Sequence, residues 1–123
     1  MAFPKTRKDD VLRGTLDLLI LQLLEHHDLH GWAISEHIGS LSEEVLQVGQ
    51  GALYPGLHRL EKRKLVDAYW GLSDNNRRAK FYRITTKGRS ELQSETARWE
   101  RFARAVDLVL SGAASVRSAA AGA

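Results

Sequence analysis

The chain has 123 residues, of which 43% are hydrophobic, and this is enough for one domain with its own core. It contains no cysteine, which excludes a disulfide framework, a thiolate metal site and a cysteine nucleophile. The longest apolar run, Leu18 to Leu21, is far too short to cross a membrane, and no secretory signal precedes it. We therefore expect a cytoplasmic protein with no membrane contact. The net charge of +3 is modest, so its distribution along the chain is more informative than its total.

The first predicted helix follows residues 1–10, which we expect to be a flexible basic segment. From Val11 to Glu25, leucine and isoleucine recur at helical spacing. Leu18 and Leu21 add apolar side chains outside the main stripe, so the helix is apolar around most of its circumference. The apolar side chains of such a helix have to be buried on two sides, and this predicts that a second subunit packs against one of them.

Two further helices are predicted after a polar turn at residues 25–30. Gly31 to Ile38 fits a short helix that Gly39 and Ser40 should end, followed by a connector at residues 41–47. A third helix should run to about Lys64. Because proline is tolerated only near the first turn, Pro55 predicts that this helix begins between Gly51 and Leu53.

A β-hairpin is predicted next, with strands at residues 66–71 and 80–85 around turn-forming residues 73–76. From Asn75 to Arg89 the chain has six positive charges and no acidic residue, which favours a polyanionic partner. These charges are on Arg77, Arg78, Lys80, Arg83, Lys87 and Arg89.

The last predicted helix occupies residues 87–110, with Thr86 as its cap. Leu92, Trp99 and Val106 are seven residues apart, and Phe102 and Val109 occupy the alternate positions. This short heptad pattern is typical of a helix that packs lengthwise on another helix. Residues 111–123 are rich in alanine, serine and glycine, and we expect a disordered tail.

The predicted order of elements defines a fold that is mainly α with a small β-hairpin: a winged helix-turn-helix at residues 11–86 plus a long C-terminal dimerisation helix. In this fold the third helix enters the major groove of DNA by its N-terminal end, and the hairpin reaches the backbone or the neighbouring minor groove. The predicted DNA-binding residues are Gln50, Gly51, Ala52, Tyr54, His58, Asn76, Arg77, Arg78 and Lys80.

Four stretches resemble the PadR family of transcriptional regulators, and in particular its short subtype: residues 12–17, 29–34, 51–61 and 75–82. The Leu-Tyr-Pro-x-Leu-x-Arg-Leu-Glu core and the Asn-Arg-Arg wing are the specific parts of the resemblance. It implies a homodimer, held by the first and last helices, that binds a pseudo-palindromic operator in double-stranded DNA. It also implies a repressor that a small aromatic effector releases.

Two groups of residues follow from the dimer expectation. The predicted dimerisation residues are Leu16, Leu19, Leu23, Leu92, Trp99, Phe102, Val106 and Val109. The candidate effector-binding residues are Trp99, Phe102 and Leu16, although pure packing is the simpler role for Trp99.

Other interpretations stay open at this point. Tyr54 can pack against the hairpin rather than contact DNA, and the whole chain can be a dimerisation or protein-interaction module that does not need DNA. His26, His27 and His30 are dense enough to suggest a metal-responsive regulator, but a polar turn explains them more simply. No Ser-His-Asp set, phosphate loop or carboxylate pair stands out, so we expect neither an enzyme nor a cofactor.

Overall fold

The order of elements agrees with the predicted winged helix-turn-helix. The structure is a computed structural model that describes residues 5–118, with side chains described from residue 14 onward. Within this range it contains four α-helices, a three-stranded antiparallel sheet and a short 3₁₀ turn. The elements are α1 (Lys5–His26), β1 (Leu29–His30), α2 (Gly31–Leu41), α3 (Gln50–Lys62), β2 (Val66–Leu72), β3 (Arg78–Ile84), α4 (Thr86–Gly112) and the 3₁₀ turn (Ala113–Ser115).

Helix α1 begins at Lys5, not at Val11, so the flexible segment predicted for residues 1–10 is corrected for residues 5–10. These residues include neither glycine nor proline, and nothing in them prevents the helix from extending toward the N-terminus. Residues 1–4 lie outside the described part of the chain.

Helix α2 continues through Gly39 and Ser40, where the sequence predicted a break, and ends at Leu41. The stop comes instead from Ser42 and the two residues after it. The Ser42 N–H donates to the Ile38 carbonyl at 3.2 Å, and the Glu44 N–H donates to the Gly39 carbonyl at 2.7 Å. Glu43 and Glu44 have φ values of 53° and 66°, in the left-handed region, which ends the helix and turns the chain into the connector.

Helix α3 begins at Gln50, one residue before the predicted range, because Gly49 acts as its N-cap. The Gly49 carbonyl accepts hydrogen bonds from Ala52 at 3.2 Å and from Leu53 at 3.0 Å. Pro55 therefore lies deeper in the helix than the sequence suggested. Its missing N–H leaves the Gly51 carbonyl without its usual helical donor, and the exposure of both residues to water makes this tolerable.

The sheet contains one strand more than the predicted hairpin. Strands β2 and β3 pair from Val66–Ile84 to Leu72–Arg78, and the short β1 pairs with the other edge of β3, Leu29 opposite Tyr82. The sheet order is β1-β3-β2. A strand of two residues has no periodicity to detect, so the sequence predicted only a polar turn there.

Residues 1–93 form one compact unit with a single apolar core. Leu16, Ile20 and Leu24 of α1 are buried in it, together with side chains from α2, α3, the sheet and Leu92 of α4. Thr85, rather than the predicted Thr86, caps α4, because its Oγ1 accepts a hydrogen bond from the Gly88 N–H at 2.9 Å.

Residues 94–123 form a second compact unit, described as far as residue 118. In it α4 continues to Gly112, and a 3₁₀ turn follows at Ala113–Ser115. The structure therefore differs from the predicted disordered tail at residues 111–115. Residues 119–123 lie outside the described range.

Candidate nucleic-acid interface

Helix α3 is buried along one side and exposed along the other. Leu53, Gly56, Leu57 and Leu60 face the core. The five predicted DNA-binding residues of this helix are all exposed: Gln50, Gly51, Ala52, Tyr54 and His58. The N-terminal half of α3 thus offers an exposed surface that carries the polar side chains of Gln50, Tyr54 and His58, as a helix that reads a major groove requires.

Tyr54 has a structural contact as well as an exposed edge. Its side chain is 45% exposed, yet its ring lies against Gly31 at the beginning of α2. A Cβ atom at Gly31 would lie 2.8 Å from the Tyr54 hydroxyl oxygen and 3.0 Å from two ring carbons. The phenol is therefore held where α2 meets α3, and its position is fixed by the helix-turn-helix itself.

Helix α3 is also anchored to α1 by an ion pair. Arg59 Nη2 lies 3.1 Å from Asp17 Oδ1, and both side chains are partly buried. The charge of Arg59 is compensated inside the protein, so this residue contributes to the orientation of α3 more than to a positive surface.

The loop between β2 and β3 has a defined geometry. The Ser73 N–H donates to the Arg77 carbonyl, and the Asn76 N–H donates to the Ser73 carbonyl, both at 2.8 Å. Asn76 has a φ of 62°, a conformation that asparagine tolerates better than most residues. Asn76 thus shapes the loop that presents Arg77 and Arg78, both of which are exposed.

The two faces of the hairpin carry different side chains because strand residues alternate in direction. On the face that holds buried Tyr82, Lys80 lies opposite Trp70, and Arg78 lies opposite Leu72. The Lys80 ammonium is 3.8 Å from the Glu61 carboxylate of α3, so this face is continuous with α3.

On the same face the Arg78 guanidinium carbon lies 4.7 Å from the centre of the Trp70 ring. Trp70 is 60% exposed. The sequence predicted a strand over residues 66–71 but did not identify Trp70 within it as a surface residue. Val66, Ala68 and Trp70 alternate along β2, so Trp70 lies on the same face as the other two. The alternation does not show at which residue of the strand this face becomes exposed to solvent.

The opposite face of the hairpin carries a second aromatic cluster. Tyr69 stacks on Phe81 with ring centres 5.8 Å apart and donates a hydrogen bond to the Asp28 carboxylate at 2.6 Å. That hydrogen bond, with the burial of the hydroxyl and the negative charge of Asp28, raises the pKa of Tyr69. The Arg83 guanidinium carbon lies 5.2 Å from the Tyr69 ring centre.

A groove of about 650 Å³ adjoins the beginning of α3 within residues 1–93. Its walls come from α1, from the connector at residues 44–48 and from α3, and Leu16, Leu19 and Pro55 are among its apolar lining residues. Leu16 thus lies beside α3, the recognition helix of the predicted helix-turn-helix. The other two candidate effector-binding residues, Trp99 and Phe102, lie in the second unit with ring centres 5.9 Å apart.

The predicted dimerisation residues separate into three groups by burial. Leu16 and Leu92 belong to the core of the chain itself, and their packing does not require a partner, which corrects their assignment as interface anchors. Leu19 and Leu23 are half-buried on α1 and pack against that core. Four side chains of α4 are exposed: Trp99 by 45%, Phe102 by 61%, Val106 by 40% and Val109 by 70%.

Two of the three clustered histidines, His26 and His30, have other side-chain contacts, and the metal interpretation is not supported. The His30 Nδ1 atom accepts a hydrogen bond from the Ala33 N–H at 3.2 Å and so caps α2, while its ring meets Phe81 edge-on. The His26 Nε2 atom lies 3.4 Å from the Gln22 amide nitrogen. Among the side chains described, those of residues 14–118, no three histidines, aspartates or glutamates are grouped as metal ligands.

A helix-turn-helix followed by a hairpin that is joined to the exposed helix defines the winged helix-turn-helix class of transcriptional regulators. The family model described as the transcriptional regulator PadR-like family matches residues 20–94, and the chain belongs to this family. It is therefore a transcriptional regulator and not an enzyme. Across residues 5–118 no helix is long and apolar enough to span a membrane.

Known relatives agree with this assignment. The chain is 35% identical to an uncharacterized protein of Lysinibacillus sphaericus over 85% of its own length and 96% of the relative. It is 35% identical to the transcriptional regulator Rv3488 of Mycobacterium tuberculosis over 76% of its length and 84% of that protein. A PadR-like transcriptional regulator from Bacillus cereus has the same fold, with a TM-score of 0.73 and 27% identity over 84% of this chain and 98% of the other.

Proposed function

We propose that the protein is a sequence-specific repressor that binds a pseudo-palindromic DNA operator as a homodimer. The observation that carries the proposal is the exposed N-terminal half of α3 together with a basic hairpin attached to the same helix. The Lys80–Glu61 ion pair attaches the hairpin near the C-terminal end of α3. In this arrangement α3 occupies the major groove, and the hairpin reaches the adjacent backbone and minor groove.

The charges of the hairpin support binding to phosphate. Arg77 and Arg78 are exposed, and among the side chains of residues 14–118 neither makes an ion pair with a carboxylate. Both guanidinium groups are thus available to displace counterions from DNA. The side chains of Gln50, Tyr54 and His58 on α3 can donate and accept hydrogen bonds, which suits contacts with base edges.

The dimer supplies the operator symmetry. Two copies related by a twofold axis would place their α3 helices in successive major grooves of one DNA face, about 34 Å apart. Trp99, Phe102, Val106 and Val109 give α4 an exposed apolar stripe that a second copy can cover.

Release by an effector would act through the same dimer. Trp99 and Phe102 are flat and exposed, and they suit a planar aromatic compound. Such a compound, bound beside the dimer contact, would change the spacing of the two α3 helices and thereby weaken operator binding. Leu16 lines the groove beside α3 and offers a second apolar surface for the ligand.

The central experiment is selection of DNA from a random library by the purified protein, followed by sequencing. We expect an enriched pseudo-palindrome. Affinity for it should fall with salt, and Arg77→Ala/Arg78→Ala should reduce the salt slope by about 0.9 for each lost phosphate contact. Arg101→Ala, which removes an exposed charge of α4, is the matched control and should leave the slope unchanged.

Three results would contradict the proposal. Enrichment of no sequence would favour an interaction module that does not need DNA. An unchanged salt slope in the double variant would show that the hairpin does not contact phosphate. Strong binding of a single half-site by a monomer would remove the symmetric operator.

A further inference from the structure

The two arginines of the wing have different surroundings, although they are adjacent in the sequence. Arg77 lies in the loop, and its side chain has neither an aromatic nor a carboxylate partner among the side chains of residues 14–118. Arg78 begins β3, and its guanidinium group lies over the exposed ring of Trp70 at 4.7 Å. One arginine is thus unrestrained, whereas the other is held against a flat surface.

The Trp70–Arg78 pair lies on the hairpin face that joins α3. Lys80 separates Arg78 from Tyr82 along this face, and the Lys80–Glu61 ion pair connects it to the recognition helix. Of the two hairpin faces, this is the one whose side chains contact α3, the helix that the proposed function places in the major groove. The charge of the face is positive, and Trp70 and Leu72 are its exposed apolar residues.

Resting on the DNA-binding function proposed above, we propose that Trp70 is a specificity-determining residue that positions Arg78 for insertion into a narrow, A·T-rich minor groove. Arginine prefers such grooves because their narrow walls concentrate negative potential. A guanidinium stacked on an indole has lost part of its water and part of its rotational freedom before it meets DNA. Arg77 contributes only a charge to the phosphate backbone.

The proposal makes the bases that flank the major-groove contacts part of the operator. Selection by the wild-type protein should enrich A·T pairs at these flanks. The preference should depend on the minor groove alone, because it comes from groove width and from the absence of the guanine amino group.

Base analogues test this directly. An operator whose flanking G·C pairs are replaced by inosine·C keeps the major-groove pattern of G·C but loses the minor-groove amino group. We expect it to bind as tightly as the A·T-flanked operator, about fivefold more tightly than the G·C-flanked one. Equal affinity for all three operators would overturn the proposal.

Protein variants test the role of Trp70 itself. Trp70→Leu keeps an apolar side chain but removes the aromatic face, and should lower affinity for the A·T-flanked operator about two- to fivefold, toward that for the G·C-flanked one. Its salt slope should match the wild type, because no charge is removed. Arg78→Lys tests the same arrangement without altering Trp70. It keeps the charge and should lose the flank preference, since an ammonium lacks the planar stacking surface.

The matched control is Arg83→Ala, which removes the guanidinium from the Tyr69 ring on the opposite face of the hairpin. It should keep the flank preference. Loss of the preference in Arg83→Ala, or its retention in both Trp70→Leu and Arg78→Lys, would refute the role of the Trp70–Arg78 pair. Failure of the wild-type protein to select any DNA would instead refute the proposed function, so the two failures are distinguishable.

Discussion

The ring of Tyr54 in α3 lies directly against the backbone of Gly31 in α2, with no room between them for another side chain. A Cβ atom at Gly31 would lie 2.8 Å from the phenol oxygen. Gly31 is thus the residue that allows the phenol to occupy the junction of the helix-turn-helix. This contact links the packing of two helices to the position of a side chain on the proposed DNA surface.

Gly31→Ala should therefore disturb DNA binding without changing any residue that contacts DNA. The new methyl group should displace the Tyr54 ring, lowering specific affinity about tenfold, which is within the range for loss of one good base contact. The free energy of unfolding should fall by only about 1 kcal/mol, because the displaced group is the far end of a side chain. Binding titrations and denaturant unfolding measure the two effects.

A double-mutant cycle shows whether Gly31 acts through Tyr54. In a Tyr54→Ala background the phenol is absent, so Gly31→Ala should cause almost no further loss of specific affinity. A full additional loss in that background would show that the methyl group disturbs the helix-turn-helix by another route.

A second glycine should control stability and not binding. Gly88 lies in the first turn of α4, where a Cβ atom would overlap the Leu65 carbonyl oxygen and lie 2.7 Å from Cγ1 of Ile84. Because a backbone atom cannot move aside cheaply, Gly88→Ala should lower the free energy of unfolding by about 3 kcal/mol.

Gly14→Ala is the control for that substitution. Gly14 lies in the interior of α1, and nothing lies within 4 Å of a Cβ atom placed there. Alanine should therefore stabilise the protein by about 0.5–1 kcal/mol through helix propensity. Equal effects of the two substitutions in urea unfolding would contradict the packing found around Gly88.

Alkaline pH should destabilise the protein partly through Tyr82. Burial raises the pKa of this phenol above its ordinary value of 10.0, and the negative charge of Glu61 and then Tyr54 raise it further. In the unfolded chain the phenol loses its proton at lower pH than in the folded protein. Its contribution to stability is thus fully present below pH 10.0 and is lost as pH rises through the higher folded pKa.

Tyr82→Phe should make the decline of stability above this pH shallower, because phenylalanine has no proton to lose. Unfolding free energies measured from about pH 8 to about pH 11 test this expectation. Tyr69, whose pKa is raised chiefly by its hydrogen bond to Asp28, remains in the variant and leaves part of the decline. Parallel curves for the variant and the wild type would show that Tyr82 ionises alike in both states.

Strong local signals made most of the fold predictable from the sequence. The leucine spacing of α1, the glycines before α3 and the alternation in β2 each reflect one dominant physical preference. The structure differs from the prediction where a contact outside the local sequence determines whether a residue is helical or part of a strand. Gly39 remains helical because the turn that ends α2 forms after it, and β1 exists only because β3 offers it an edge.

The site was predictable as a set of exposed polar residues, but the relations among them were not. Sequence spacing placed Tyr54 and the wing arginines on the surface. It could not show that Tyr54 packs on Gly31, that Lys80 pairs with Glu61 or that Arg78 lies over Trp70. Each of these contacts joins two different elements, and spacing within one element does not reveal it.

The dimer is the prediction on which the symmetric operator depends. Trp99, Phe102, Val106 and Val109 recur at intervals of three and four residues along α4, and the stripe they form is about 15 Å long. All four are at least 40% exposed. Covering each large side chain with a second copy would contribute up to about 1.5–3 kcal/mol, which would offset part of the cost of association.

Phe102→Glu would place a charge in the centre of that contact, where removal from water is costly. We expect a folded monomer, or a much weaker dimer, that has lost binding to the full operator but still binds DNA weakly through the wing. Ala97→Glu introduces the same charge on a different, exposed side of α4 and should leave the dimer intact. Sedimentation at micromolar concentration separates the cases. A wild-type monomer, or equal dissociation of the two variants, would show that this stripe does not hold two copies together, and the paired half-sites would then need another explanation.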